Sequence, residues 1–314
     1  MPQRSRRLDN IPPYLFAEIS RLKSEMRARG EDIIDLGIGD PDHPTPEPII
    51  SALQRTCMDP RTHTYDESPR GWEPFVQSVA RWYHRRFGVL LDPNCEILEV
   101  IGSKEGLAHV IWAFADPGDV VIVPDPSYPV YRTNARMCGA TVYEMPLKKE
   151  NNFLPALGDI PSEVAKKAKM LFVCYPNNPT GAVAPIEFYH DLVQFCRNYD
   201  ILLVADMAYS EVTYDGYVSP SPLQVPYARD VTLEFHSLSK TFNMTGWRIG
   251  FACGNAEAVA TLAKLKENLD SKQFPAIAEA SAYALEHVRN DKTIALYQKR
   301  RDLLVKELRS GGWD

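Results

Sequence analysis

Lys240 sits in EFHSLSKTFNMTGWRIGF, just past the apolar-alternating run Val231–Phe235, among hydroxyl-bearing residues and eight residues before Arg248. A lone lysine on a turn is ordinarily solvated, so its meaning depends on what else the chain offers. Gly102-Ser103-Lys104 opens a helical pattern. Backbone N–H groups, the positive end of a helix dipole and a hydroxyl converge there in a way that suits phosphate. The G-x-x-x-x-G-K-[ST] order of a P-loop is missing. Ser237, Ser239 and Arg248 can add hydroxyls and a fixed positive charge to the same anion. Asp206 ends the apolar run ILLVA, where a carboxylate is costly without a cationic partner. Tyr209 offers a phenol three residues on, and Tyr128, between Ser127 and Pro129, a flat ring. Asn178, before Pro179-Thr180-Gly181, presents an amide from a tight turn.

A phosphate cradle, a buried carboxylate, an aromatic platform, a phenol–amide pair and a lysine together suit pyridoxal phosphate (PLP). Lys240 would hold its aldehyde as a Schiff base, and Asp206 would keep the pyridine nitrogen protonated so that the ring acts as an electron sink. A free lysine titrates near about pH 10.4, so it must be held as an imine or desolvated to act as a base at neutral pH. Plainer readings stand beside these. Asp206 also reads as a helix N-cap, Gly102-Ser103-Lys104 as a simple cap, Tyr128 as a core aromatic and Tyr65 as a loop residue.

The elements that would position these groups form a regular series. From about residue 95, β-branched runs bounded by Pro, Gly and Asp alternate with amphipathic helical patterns: Ile97–Ile101, VVIVPDP, TVYEMPL, KMLFVCYP, ILLVADMAY, VTLEFHS and RIGFACG, with a long helix over Ile186–Tyr199. This predicts an α/β fold with a largely parallel sheet sandwiched by helices. Ligands of such sheets bind beyond the carboxyl ends of the strands, and the polar clusters fall at those ends. Residues 46–282 are read as the large domain. Residues 1–45, with a helix, a short apolar strand and a Pro/Gly-rich elbow, are assigned with 283–314 to a small α+β domain.

The 314 residues are 45% hydrophobic with a net charge of −6, and no extended basic run occurs, which argues against nucleic acid or an anionic membrane as partner. Six cysteines form no C-x-x-C pair and seven histidines no metal spacing, so the expectation is a cytoplasmic protein with reduced thiols and no metal. No secretory signal and no apolar window of about 18 residues is found.

S-x-S-K with arginine eight residues beyond, YPNNPTG and D-x-x-Y resemble the motifs of class I/II aminotransferases of PLP fold type I. IDLGIGDPDHPTP, RRFGVLLDP, IGSKEGLAH, VPDPSYPVY, YPNNPTGAVA and EFHSLSKTFNMTGWRIGFA are similar to the bacterial LL-diaminopimelate aminotransferases, and the resemblance spans nearly the whole chain. It implies that Lys240 is the Schiff-base lysine and proton carrier, and that Ser103, Lys104, Ser237, Ser239 and Arg248 bind phosphate. Tyr128 would stack on the ring, Asn178 and Tyr209 would contact its 3-hydroxyl, and Asp206 its nitrogen. Tyr65 matches a tyrosine that reaches the neighbouring subunit's phosphate, which implies a homodimer with shared sites. Gly39, Tyr14 and Asn178 would contact small amino-acid and oxo-acid substrates. The implied reaction moves an amino group from glutamate to tetrahydrodipicolinate, serving lysine synthesis. An aspartate- or alanine-type aminotransferase, a PLP-dependent β-lyase and a non-catalytic PLP-binding module are the alternatives. In the family a Gly-Gly-Trp-like turn precedes the arginine that grips the substrate α-carboxylate. The sequence ends at LRSGGWD, so the expectation is a C-terminally incomplete small domain that leaves PLP binding intact and transamination poor.

Overall fold

The alternating runs form seven strands of one sheet and eleven α-helices, as described by a computed structural model for residues 1–9, 11–12, 15–37 and 39–313. Helices α1 (Leu15–Ala28), α2 (Glu47–Thr56) and α3 (Glu73–Phe87) come first. Strand β1 (Ile97–Val100) leads into α4 (Ser103–Phe114) and β2 (Val120–Asp125) into α5 (Val130–Met137). Then come β3 (Thr141–Pro146), the short α6 (Ser162–Ala165), β4 (Ala168–Cys174), α7 (Ile186–Tyr199) and β5 (Leu202–Asp206). After β6 (Thr232–Ser237) the single turn α8 (Leu238–Thr241) leads to β7 (Gly250–Gly254), followed by α9 (Ala256–Glu267), α10 (Pro275–His287) and α11 (Asp291–Ser310).

The strand order is β1-β7-β6-β5-β4-β2-β3. Four neighbouring pairs are parallel, and only β7 runs antiparallel to its neighbours β1 and β6. Alternate side chains of each strand enter different cores. Ile122, Leu171, Val173 and Leu203 pack on one face with Phe75, Val79 and Tyr83 of α3. Val121, Met170, Phe172 and Val204 pack on the other with Leu107 and Val110 of α4. Both faces are therefore dry, which is why these strands read as continuous apolar runs. Each large side chain so buried contributes roughly 1.5–3 kcal/mol.

Helix ends follow local chemistry. α3 stops at Gly88, whose φ of 72° lets its N–H reach the carbonyl of His84. α4 begins at Gly102, φ 76° and ψ 148°, with no side-chain cap on its first turn. α11 is held by paired carboxylates, Arg300 to Asp42 at 2.9 and 3.0 Å and Arg301 to Asp215 at 2.7 and 2.8 Å. Thr45 Oγ1 donates to the carbonyl of Asn243 at 2.8 Å, which ties the 39–45 elbow to the loop after α8.

One expected element is absent. The apolar strand read within residues 31–45 does not form; residues 31–36 are irregular, and Ile34 and Leu36 are 85% and 76% exposed. A strand needs a ladder partner for its N–H and C=O groups, and no described strand pairs with this segment. Helix α10 runs unbroken through residue 283, where the sequence reading places the domain boundary.

Candidate active site

The carboxyl ends of β2, β4, β5 and β6 share one edge of the sheet, because their register is parallel and Cys174, Asp206 and Phe235 stand side by side. A cavity of about 660 Å³ opens there. Ser103 and Lys104 line it from the start of α4, Tyr128 from the loop after β2 and Asn178 from the loop after β4. Asp206 and Tyr209 line it from the end of β5 and the turn after it, and Ser237, Ser239, Lys240 and Arg248 from β6 and the segment beyond. Gly39 closes one side, with Asp40 beside it. Eleven residues singled out in the sequence thus face one space.

At one end, positive charge and the N–H groups of a helix start gather. The uncapped first turn of α4 meets Arg248, whose Nη2 lies 2.6 Å from where a Cβ on Gly102 would stand. Glycine is required there twice over, by its positive φ and by the guanidinium beside it. Gly250 is similarly confined, since a Cβ would lie 2.4 Å from the His236 carbonyl and 3.2 Å from Ser103 N. Ser237 caps α8, its Oγ accepting from Ser239 N at 3.2 Å, and both serines are buried. Arg248 adopts φ 54°, ψ 54°, and its Nη1 donates to the Thr245 carbonyl at 2.9 Å. A helix N-terminus with a fixed guanidinium is an anion site.

At the other end sits a desolvated carboxylate. Asp206 is 4% exposed. Its Oδ2 accepts from Tyr131 Oη at 2.7 Å and its Oδ1 from Ala208 N at 3.2 Å. Burial pushes the Asp206 carboxyl above its ordinary range, while these two donors and the more distant His236 pull it back. Among the described residues no cation forms an ion pair with it. Asn178 Nδ2 donates to Tyr209 Oη at 3.3 Å, and burial pushes the Tyr209 phenol up.

Lys240 lies between the two ends. Its Nζ donates to the Gly39 carbonyl at 2.8 Å and lies 4.0 Å from Asp40 Oδ1. Burial, with help from the Arg248 charge, holds its ammonium below the ordinary lysine range, and Asp40 opposes this. It is half-buried, with Asp40 as a loose ion-pair partner.

Tyr65 is 94% exposed and does not line the cavity; Tyr14 lies outside the described residues. Tyr131 was missed; it lies on the first turn of α5, three positions after the loop residue Tyr128. It stacks on Phe172, centroids 4.9 Å apart, and so aims its hydroxyl at Asp206. The fold also assembles two groups of metal-ligand type that spacing along the chain does not reveal, Glu234–His236–Cys253 and Glu105–His109–Asp270. Hydrogen bonds account for both. Glu234 accepts from Tyr83 Oη, Ser221 Oγ and Leu223 N, with His236 Nε2 at 2.9 Å. In the second group Lys266 Nζ occupies the cation's place, 2.7 Å from Glu105 and 3.0 Å from Asp270.

Comparison with known proteins places this arrangement. Residues 31–314 match the profile of the family described as aminotransferase class I and II. The chain is 51% identical over 314 residues to LL-diaminopimelate aminotransferase 2 of Nostoc sp., covering 99% of this chain and 80% of that protein. It is 50% identical over 313 residues to the LL-diaminopimelate aminotransferase of Moorella thermoacetica, with the same coverage. Among solved structures it superposes on substrate-bound BacF from Bacillus subtilis with a TM-score of 0.95 at 33% identity, over 99% of this chain and 79% of that one. On a mutant Thermus thermophilus aspartate aminotransferase the TM-score is 0.91 at 30% identity, over 99% and 81%. The chain belongs to the class I and II aminotransferases, enzymes of PLP fold type I.

Proposed function

We propose that this protein is a PLP-dependent LL-diaminopimelate aminotransferase, exchanging an amino group between glutamate and the oxo acid from which LL-diaminopimelate is made. The observation that carries the cofactor assignment is the buried carboxylate of Asp206, with no ion-pair partner among the described residues, in the same cavity as a desolvated Lys240 and a separate anion cradle. Those three features fit the pyridine nitrogen, aldehyde and phosphate of one molecule. When bound, the cofactor supplies an electron sink for charge developing at the substrate α-carbon.

The chain's own residues do the rest. Ser103, Lys104, Ser237, Ser239 and Arg248 would hold the phosphate. Tyr128 would pack against the ring, and Asn178 and Tyr209 would face its hydroxyl. Asp206, if ionised, would hold a proton on the ring nitrogen, and Tyr131 keeps that carboxylate oriented. Lys240 would hold the cofactor's aldehyde and would carry a proton to and from the substrate α-carbon. Its depressed pKa favours the neutral amine needed for both tasks. Gly39 contributes a backbone carbonyl beside that amine.

The substrate assignment draws on about 50% identity over nearly the whole chain to relatives named for that activity. The proposal includes a cytoplasmic homodimer. Tyr65, Met58 and Phe274 stand 94%, 82% and 41% exposed, apolar area that suits a second copy with Tyr65 reaching across. No described helix is long and apolar enough to cross a membrane.

The deciding experiment is absorption spectroscopy of the protein with PLP before and after borohydride, for wild type and Lys240→Ala. A visible band that borohydride fixes only when Lys240 is present is expected. Glutamate, LL-diaminopimelate or aspartate is then added in a single half-turnover, which reads even a slow enzyme. Faster loss of the band with aspartate than with LL-diaminopimelate would favour the aspartate-type reading, and no band would end the PLP assignment.

A further inference from the structure

Behind the anion cradle, one side chain holds the backbone that presents the guanidinium. Arg248 is a non-glycine residue in the left-handed region, φ 54° and ψ 54°, a conformation unfavourable for an L-residue that persists only where its surroundings over-determine it. The surroundings are supplied by Gln273, more than twenty residues later. Its Nε2 donates one N–H to the Trp247 carbonyl at 2.9 Å and the other to the Arg248 carbonyl at 2.7 Å. Its Oε1 accepts from Phe274 N at 2.8 Å, so every polar atom of the amide is committed and its orientation is fixed by chemistry.

Gln273 is itself anchored. Its backbone N–H donates to Glu99 Oε1 at 3.2 Å, and the other oxygen of Glu99 accepts from Trp72 N at 2.8 Å. The neighbouring Lys272 Nζ donates to the carbonyls of Asp66 and Ser68. Residues 66–72 and 271–274 therefore form one braced block on β1, and Gln273 is the arm that extends from it to Arg248. On the far side, Gly102 leaves the guanidinium no slack.

We infer that Gln273 is a positioning residue for phosphate recognition, setting the affinity for phosphorylated ligands through Arg248 without touching the ligand. This rests on the reading of the cavity as a PLP site. Only a primary amide offers two donors in the required fork; a carboxylate of the same shape would set oxygens against two carbonyls. Gln273→Glu should therefore release the left-handed turn and let Arg248 swing off the phosphate.

The test compares PLP with pyridoxal, which lacks the phosphate but carries the same aldehyde and ring. Dissociation constants for both are measured by absorption titration of wild type, Gln273→Glu, Arg248→Ala and the double variant, with melting temperatures alongside. In wild type PLP should bind more tightly than pyridoxal. Gln273→Glu should shrink that preference by about tenfold or more while leaving pyridoxal affinity little changed, and should add nothing in the Arg248→Ala background. Equal weakening of both ligands, no weakening of either, or full additivity with Arg248→Ala would each overturn the inference. If Gln273→Glu does not fold, Gln273→Ala removes the donors without adding charge and carries the same comparison. A wild type with no preference for PLP would instead overturn the cofactor reading, and this inference with it.

Discussion

Tyr131→Phe isolates one hydrogen bond at the charged heart of the cavity. The ring is fully buried and stacked on Phe172, with Tyr128 edge-on at 6.0 Å, so phenylalanine keeps the packing and loses only the hydroxyl. Asp206 then retains one donor, Ala208 N at 3.2 Å. A hydrogen bond to a charged acceptor contributes about 1.5–3 kcal/mol, and here it stabilises the ionised carboxylate against burial. Losing it pushes the already raised Asp206 pKa further up, because a donor that favours the charged form is gone. The ring nitrogen needs the ionised form, so PLP affinity should fall by about tenfold to a hundredfold near neutrality. Binding should also fail at a higher pH than in wild type as the solution is acidified. Absorption titrations of both proteins from about pH 6 to about pH 9 read both effects. Unchanged affinity across that range, with the fold intact, would mean that Asp206 does not hold the cofactor through its charge.

Two more perturbations probe the frame. Gly102→Ala places a methyl 2.6 Å from Arg248 Nη2 at a φ of 76°; it should cost about 1–3 kcal/mol of stability and weaken PLP more than pyridoxal, and equal binding of both by variant and wild type would refute the close approach. Glu99→Gln tests a buried acid that desolvation raises from 4.5 to about 7 despite its two backbone donors. A raised folded pKa means that this group's contribution is full below about pH 4.5 and is lost as pH rises through about 7, by up to about 3 kcal/mol at 1.36 kcal/mol per pH unit. Urea unfolding at about pH 5 and about pH 8 should therefore show wild type losing stability relative to Glu99→Gln on going to the higher pH; a pH-independent difference would place the Glu99 titration elsewhere.

The residues that line the cavity were legible in the sequence for a physical reason. In a sheet buried on both faces, polar residues such as Asp206, Ser237 and Lys240 stand out at strand ends, where the apolar runs stop. Helix α7 was legible over Ile186–Tyr199 because its stripe repeats at the helical period. The expected strand within 31–45 failed because apolarity alone supplies no ladder partner. Supporting residues were illegible for a different reason. Glu99, in the run ILEV, reads as the polar member of an alternating strand, yet it is 2% exposed because residues 66–72 fold over it. Gln273, in SKQFPA, reads as a loop residue, and its link to Glu99 spans 174 positions. Neither carries a periodic or compositional mark, since each acts through backbone groups that any sequence would supply. What such residues do is hold the chain in conformations it would not adopt alone, as at Arg248. Side chains lining the cavity are therefore recognisable by type, while those that brace them are recognisable only by what they touch.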